Sequence, residues 1–332
     1  MTDEGSLMEA LHDDPDDETS WLVLSDILEE QGRQPQAEMV RLLRALRAMD
    51  DGDRQEAEAE IQSRLLAGVR PVVPVRVNSI GMELALIPPG SFWLGSPTTE
   101  DGRYDDEGPR RLIRITRPFY LGVYPVTQAQ YEAVMEVNPS AFRVRGEQAV
   151  AVAGADTGRH PVERVNWLEA MTFCRTLTRL PEEKKARRAY RLPTEAQWEY
   201  AGRGPAAQFS PYVFGKEVAV EHANFRVRPG AREALTTTPV GKYPPNGFGL
   251  YDVMGNVWEW CADWYDTEAY LHNPPADPPG PASGDRRNVR GGPYHLEARR
   301  VRPADRSSFA PEHRDSDLGF RVLCAWEPRG IS

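Results

Sequence analysis

Cysteine is scarce in this chain, at three residues in 332. No apolar run approaches the ~18 residues that a membrane-crossing helix needs, and basic charge is outweighed. Cys174, Cys261 and Cys324 show no CxxC or CxxxxC spacing, so neither a disulfide framework nor a zinc site is expected. A reducing cytoplasm is the natural compartment. Each lies among apolar or aromatic neighbours (TFCRTL, EWCADW, RVLCAW) and reads as a small buried hydrophobe. A net charge of −10 disfavours nucleic acid, because phosphate-backbone binders gather Lys and Arg to release counterions. The pairs Arg110-Arg111, Lys184-Lys185 and Arg299-Arg300 are too short to change that. The acidic start, MTDEGSLMEALHDDPDDE, lacks the basic and apolar regions of a secretory leader, so that export route is not expected. No GxSxG, GxxxxGK[ST], HExxH or strand-following GxGxxG is present, which removes the common hydrolase, nucleotide-binding and zinc-protease templates.

What is there has two styles. Through residue 70, apolar residues recur at helical spacing in SLMEALHDD, SWLVLSDILEEQ, AEMVRLLRALRAMD and EAEAEIQSRLLAGV. Asp14-Pro15-Asp16-Asp17 supplies a turn and an N-cap before Trp21, and Gln31-Gly32 a stop, so three or four short helices are predicted. Trp21, Leu22 and Ile27 read as their core. Pro71-Val72-Val73-Pro74-Val75 then breaks the helical grain, because alternating proline favours extended chain. Residues 71–332 form the second unit. MELALIPPGSFWLGS reads as a hairpin turning at Pro88-Pro89-Gly90, and RLIRITRPFYLGVYPV as further strand. Helices are predicted from Thr127 to Met135, from Asn166 through Leu180, and from a Thr194 cap. From Phe209 to Glu327 the density of Gly, Pro, Asn and Trp predicts irregular loops pinned by aromatics. The Ala- and Gly-rich stretch 151–158 reads as a disordered insertion, ahead of a cleavage site or a recognition loop.

The segments IPPGSFWLGS, DEGPRRLIRITRPFYLGVYPVTQAQY, HPVERVNWLEAMTFC, YRLPTEAQWEYAGRG, NGFGLYDVMGNVWEWCADWY, VRGGPY and DLGFRVLCA occur in the order in which the formylglycine-generating (sulfatase-modifying factor) family carries its motifs. Residues from about 72 to 326 are therefore identified as resembling that family. The pattern L…L..DPDD….WLVLSDILEEQG resembles the repeat-companion domain, a small bacterial N-terminal module that implies an adaptor or docking surface. Together these resemblances imply an α+β chain: an irregular variant C-type-lectin-like fold behind a small all-α domain.

Residue types in the motifs fit that platform. Thr194 caps a helix that turns Trp198 and Ala201 inward, while Glu195 and Glu199 are placed to pair with Arg191 or Arg203. The Asn256 amide and Glu259 carboxylate beside a Gly turn are oxygen ligands suited to calcium, and the resemblance implies a structural calcium there. The competing reading is that Asn256 bonds its own turn and Glu259 pairs with an arginine. A second calcium position of the family keeps Asn224 but offers only Glu233 within Val227 to Leu235.

The family's chemistry, by contrast, is missing. Active members carry two cysteines after the RGG-S-[WY] motif, where their soft thiolates hold copper(I). Here the segment reads RGGPYHLEARRVRPADRSSFAPEHRDSDLGFR, with Leu296 and Val301 about where the sulfurs belong. Copper is not expected, and Cys324, a single thiol in a core strand, cannot replace a pair. A protein or peptide partner is expected in a retained cleft lined by Tyr294, His295, Arg299, Arg300, Trp258 and Arg306, whose arginines suit an acidic segment. The sequence thus predicts a non-catalytic binding or regulatory member of the family in bacterial signalling or defence. The alternatives are an oxidoreductase or hydroxylase that holds another metal through His295, His313 and nearby carboxylates, and a divergent formylglycine-generating enzyme.

Overall fold

A computed structural model describes residues 3–227 and 236–327. Its N-terminal part is four helices: α1 (Glu4–Asp13), α2 (Glu18–Glu30), α3 (Gln34–Ala45) and α4 (Asp51–Leu66). Asp3, Asp17 and Asp50 cap the first, second and fourth by accepting from backbone N–H groups of the opening turn, which satisfies donors that the helix leaves unpaired. Leu7, Leu11, Trp21, Leu24, Leu28, Ala37 and Val40 form the small core of this part. Leu22 points outward and is exposed, contrary to its core reading, because Trp21 and Leu24 occupy the inward positions of α2.

A five-stranded sheet organises the rest, in the order β1 (Val75–Val77), β2 (Glu83–Ile87), β5 (Phe119–Gly122), β11 (Leu323–Ala325) and β6 (Tyr190–Arg191). β2 and β5 read as apolar runs because both their faces are covered. Ala85, Ile87, Phe119, Leu121 and Leu323 join one hydrophobic cluster, whereas their neighbours Leu84, Leu86, Tyr120 and Cys324 join another, as the two-residue strand period requires. β3 (Gly90–Leu94) pairs with β4 (Arg111–Ile115), and a second sheet runs β10 (Leu318–Gly319), β7 (Trp258–Trp264), β8 (Arg287–Arg290), β9 (Ser307–Phe309).

The predicted hairpin across Pro88-Pro89-Gly90 does not form. β2 and β3 flank those residues but pair elsewhere, β2 with β1 and β5, β3 with β4. Consecutive prolines donate no N–H and keep the chain extended, and the free Pro88 carbonyl accepts instead from the Tyr200 hydroxyl at 3.0 Å.

The predicted helices are α5 (Gln128–Met135), α6 (Trp167–Arg179) and α8 (Glu195–Arg203), with short α7 (Pro181–Lys185) and α9 (Ala269–His272) beside them. Thr127, Asn166 and Thr194 each close a capping box with the residue three further on, two reciprocal bonds that fix where each helix starts. The 151–158 stretch is ordered rather than a disordered insertion. It carries 3-10 turns at Ala149–Val152 and Thr157–Arg159, and Val152 is buried against Phe142 and Tyr294.

The helical part is seated on the large one. Met39, Leu46, Ala57, Ile61 and Leu65 belong to the same cluster as the sheet. Glu58 accepts from the backbone N–H groups of Gln208 and Phe209 at 3.0 and 3.3 Å. Gln62 donates to the Ala206 carbonyl at 2.6 Å, and the His12 ring meets the Tyr120 hydroxyl at 2.8 Å.

Candidate functional site

The segment after β8 begins with Gly291 and Gly292, both at positive φ. A Cβ on Gly292 would sit 2.1 Å from the Arg300 carbonyl oxygen, so glycine is required for the chain to double back there. That reversal brings Tyr294 under the chain. Its N–H donates to the Asn256 carbonyl at 3.0 Å, and its ring meets Phe142 edge-on at 5.4 Å.

His295 follows, half-buried, with Nε2 at 2.8 Å from Oδ2 of the buried Asp317. Oδ1 of Asp317 has no partner. Glu163 is close by: it accepts from the Phe142 N–H at 2.8 Å while its other oxygen is unpartnered, and burial pushes its carboxyl up to about 7. Burial, with Asp317, Glu163 and Asp315 adding like charge, raises the Tyr294 hydroxyl to about 12.

On the other side of the loop, Arg299 is exposed over the Tyr104 ring, at 5.5 Å from its centroid. Arg300 lies over both Tyr104 and Trp258 and pairs with the buried Asp305 at 2.9 Å. Trp258 is buried beneath Arg300. Arg306 does not face a cleft. It is fully buried, bound to Glu195 at 2.7 and 3.1 Å and to the carbonyls of Asp106 and Asp266, with its guanidinium over Tyr270. Arg306 was expected in the retained cleft from its place near the altered loop, whereas a guanidinium with this many acceptors is stable inside.

Leu296 and Val301, which the family resemblance puts about where the sulfurs belong, are both apolar. Leu296 packs on the cluster that holds Trp258, and Val301 is fully buried in the other cluster. The chain's own thiols lie elsewhere, in α6, β7 and β11, all buried. Burial raises Cys174 and Cys324 to about 12 and Cys261 well above its ordinary value.

Asn224, Asn256 and Glu259 do not fit a calcium ion as a set. Asn224 donates to Oδ1 of Asn256 at 3.3 Å, and that oxygen also accepts from the Thr238 N–H. Glu259 is clasped by Arg321 at 2.6 and 2.8 Å and by the Trp198 indole N–H at 2.6 Å. Its charge is therefore neutralised, and two neutral amides supply little of the oxygen cage that calcium requires. The partnerless oxygen in this turn is Oδ1 of the buried Asp252. Glu233 falls outside the described residues. Among those residues no group of three or more His, Cys, Asp or Glu is placed to hold a metal ion. His313 stacks on Phe309 and faces Asp315 at 4.0 Å.

A buried ion network holds the loop from beneath. Glu199 pairs with Arg203, as the helix spacing predicted, and also with Arg290. Glu195, however, takes Arg290 and Arg306, and Arg191 donates instead to Gln197 and the Leu192 carbonyl. These long-range partners carry no local sequence signal. The same is true of Phe142, Tyr104 and Glu163. Asp317 had one, its place just before the Leu318–Gly319 strand, which buries it.

The model of the sulfatase-modifying factor enzyme 1-like domain matches residues 71–326. A formylglycine-generating enzyme of Streptomyces coelicolor is 32% identical over 285 residues, 71% of this chain and 87% of that protein. PvdO from Pseudomonas aeruginosa superposes with a TM-score of 0.62 at 29% identity, covering 76% of this chain and 97% of that one. Variable protein 1 of Treponema denticola superposes at 0.61 with 27% identity, over 77% and 99%.

Proposed function

This chain belongs to the family of sulfatase-modifying factor enzyme 1-like domains, and we propose that it is a non-catalytic member, a protein- or peptide-binding module serving bacterial signalling or defence in the cytoplasm. One observation carries the reading: no cysteine lies between Gly291 and Cys324, and Leu296 and Val301, about where the resemblance puts the copper thiolates, are apolar, Val301 in the core and Leu296 packed against it. Copper(I) needs thiolates, and a thiol buried in apolar surroundings stays protonated. The binding face is the exposed Arg299 with Arg300 and Tyr104 on one side and the half-buried His295 on the other; Tyr294 and Trp258 are buried beneath it rather than lining a cleft. A guanidinium stacked on an aromatic ring and rich in unused donors suits a carboxylate-bearing segment.

The His295–Asp317 pair, with its partnerless carboxylate oxygen, favours a second reading, an oxidoreductase with a different metal. One experiment separates the two. The purified protein is analysed for metals and assayed for oxygen consumption on a cysteine-containing sulfatase-type peptide with added copper. No turnover and no stoichiometric redox metal is the expected result. Turnover with copper would overturn the loss of the family's chemistry, and a stoichiometric redox metal would install the second reading.

A further inference from the structure

Away from that loop, a cavity of about 500 Å³ opens at the seam between the helical part and the large domain. This lies within the ~300–1,000 Å³ range of small-molecule sites. Its walls come from both parts: Trp21, Val40 and Leu43 from the helices, Tyr200 and Phe248 from the large domain, and Val72 and Val73 from the connection between them. The rim carries Arg44, Arg47, Arg54 and Arg114 against a single carboxylate, Asp16.

Three carbonyls around this cavity are spent internally. The Pro15 carbonyl takes the Trp21 indole N–H at 3.0 Å, the Pro74 carbonyl takes Leu86 N–H at 2.9 Å, and the Pro88 carbonyl takes the Tyr200 hydroxyl. Two of the arginines are spent as well. Arg54 donates to Glu58 and to the carbonyls of Leu46 and Pro205, and Arg44 is clasped by Glu18. Two are not. Arg47 uses one guanidinium nitrogen on Asp16 at 2.7 Å, and the exposed Arg114 side chain has no carboxylate partner among the described residues. The unspent charge facing the cavity is therefore cationic, beside apolar and aromatic walls.

We propose that this seam is a binding site for a small amphipathic anion, whose apolar body lies against Trp21, Leu43, Tyr200 and Phe248 and whose carboxylate, sulfonate or phosphate meets Arg114 and Arg47. Because both parts of the chain line it, occupancy ties the helical module to the large domain. The site shares no residue with the loop of the proposed binding face, so neither reading depends on the other.

The test uses the full chain and 8-anilinonaphthalene-1-sulfonate as probe, read by fluorescence, with dodecanoate as competitor. The expected result is saturable binding at one site per chain, displaced by dodecanoate. Arg114→Glu, an exposed change, weakens it by roughly tenfold or more, the effect of losing a charge-assisted contact. Leu43→Trp, which fills the cavity, does the same. Arg299→Glu on the other face leaves the affinity unchanged. Melting curves accompany each variant, so that a partly unfolded protein, which binds this probe indiscriminately, is recognised. Non-saturable binding to the wild type, or equal affinity in the wild type and a normally melting Arg114→Glu, overturns the proposal.

Discussion

Glu259→Gln separates two readings of the same carboxylate. Glu259 and Arg321 are both fully buried, and the guanidinium also donates to the carbonyls of Gly122 and Tyr251 at 2.9 Å each. The amide keeps the shape of the carboxylate but removes its charge, and it presents donors where two N–H groups of Arg321 and the Trp198 indole now find acceptors. Breaking one side of a buried ion pair costs about 3–5 kcal/mol; the backbone carbonyls left to Arg321 put the expectation at the lower end, about 3 kcal/mol. For a domain of this size that lowers Tm by about 6 °C, at ~2 °C per kcal/mol. Arg321→Met alone costs a similar amount, because it strands the carboxylate. The double variant recovers about 2 kcal/mol of the summed loss, since neither charge is then unpaired. Calorimetry of the four proteins, with and without added calcium, is the assay. Additive losses with no coupling would refute the ion-pair account. A calcium-dependent rise in Tm that Glu259→Gln abolishes and Arg321→Met retains would show that the carboxylate serves the cation instead.

Glu163 makes stability depend on pH. Burial raises its folded-state pKa from 4.5 to about 7, so the folded form binds its proton more tightly than the unfolded form. The resulting stabilisation is full below about pH 4.5 and is lost as pH rises to 7. Glu163→Gln should remove that slope and be the more stable form at pH 8, by about 3 kcal/mol; equal slopes in chemical denaturation across pH 5 to 8 would count against it. Gly292→Ala should destabilise by about 2 kcal/mol or more, since the residue sits at φ 74° and its Cβ meets the Arg300 carbonyl. A variant that melts like the wild type would show that the reversal carrying Tyr294 and His295 is not rigid.

Helix starts were legible in the sequence because the signal is local: Thr127, Asn166 and Thr194 each need only the residue three positions on. The order of motifs made the family legible, and with it the mixed architecture. Strand pairing was not, since β2 chooses β1 and β5 over the adjacent β3 through contacts remote in sequence. Composition misled at 151–158, where the single Val152 side chain is enough to anchor a stretch otherwise poor in large apolar groups. In the candidate site, position in the motif drew notice to Tyr294 and His295, but only the structure shows that Tyr294 is buried and that His295 meets Asp317. Arg306 was misplaced because a charge in a sequence does not announce whether its partners, here Glu195 and two carbonyls, lie inside.

The five-stranded sheet has a consequence for how the chain is made. Its fourth strand, β11, joins β5 on one side and β6 on the other, pairing Leu323 with Leu121 and with Arg191. On a ribosome adding ~5–20 residues per second, the roughly 200 residues between those partners take about 10–40 s to emerge. Throughout that interval β5 has one unpaired edge, with Phe119 and Leu121 on one face and Tyr120 on the other. An apolar strand edge in that state can recruit any neighbouring strand. Productive folding of the large domain thus waits for β11 to be made, and yield during expression should depend on whatever shields that edge until β11 arrives.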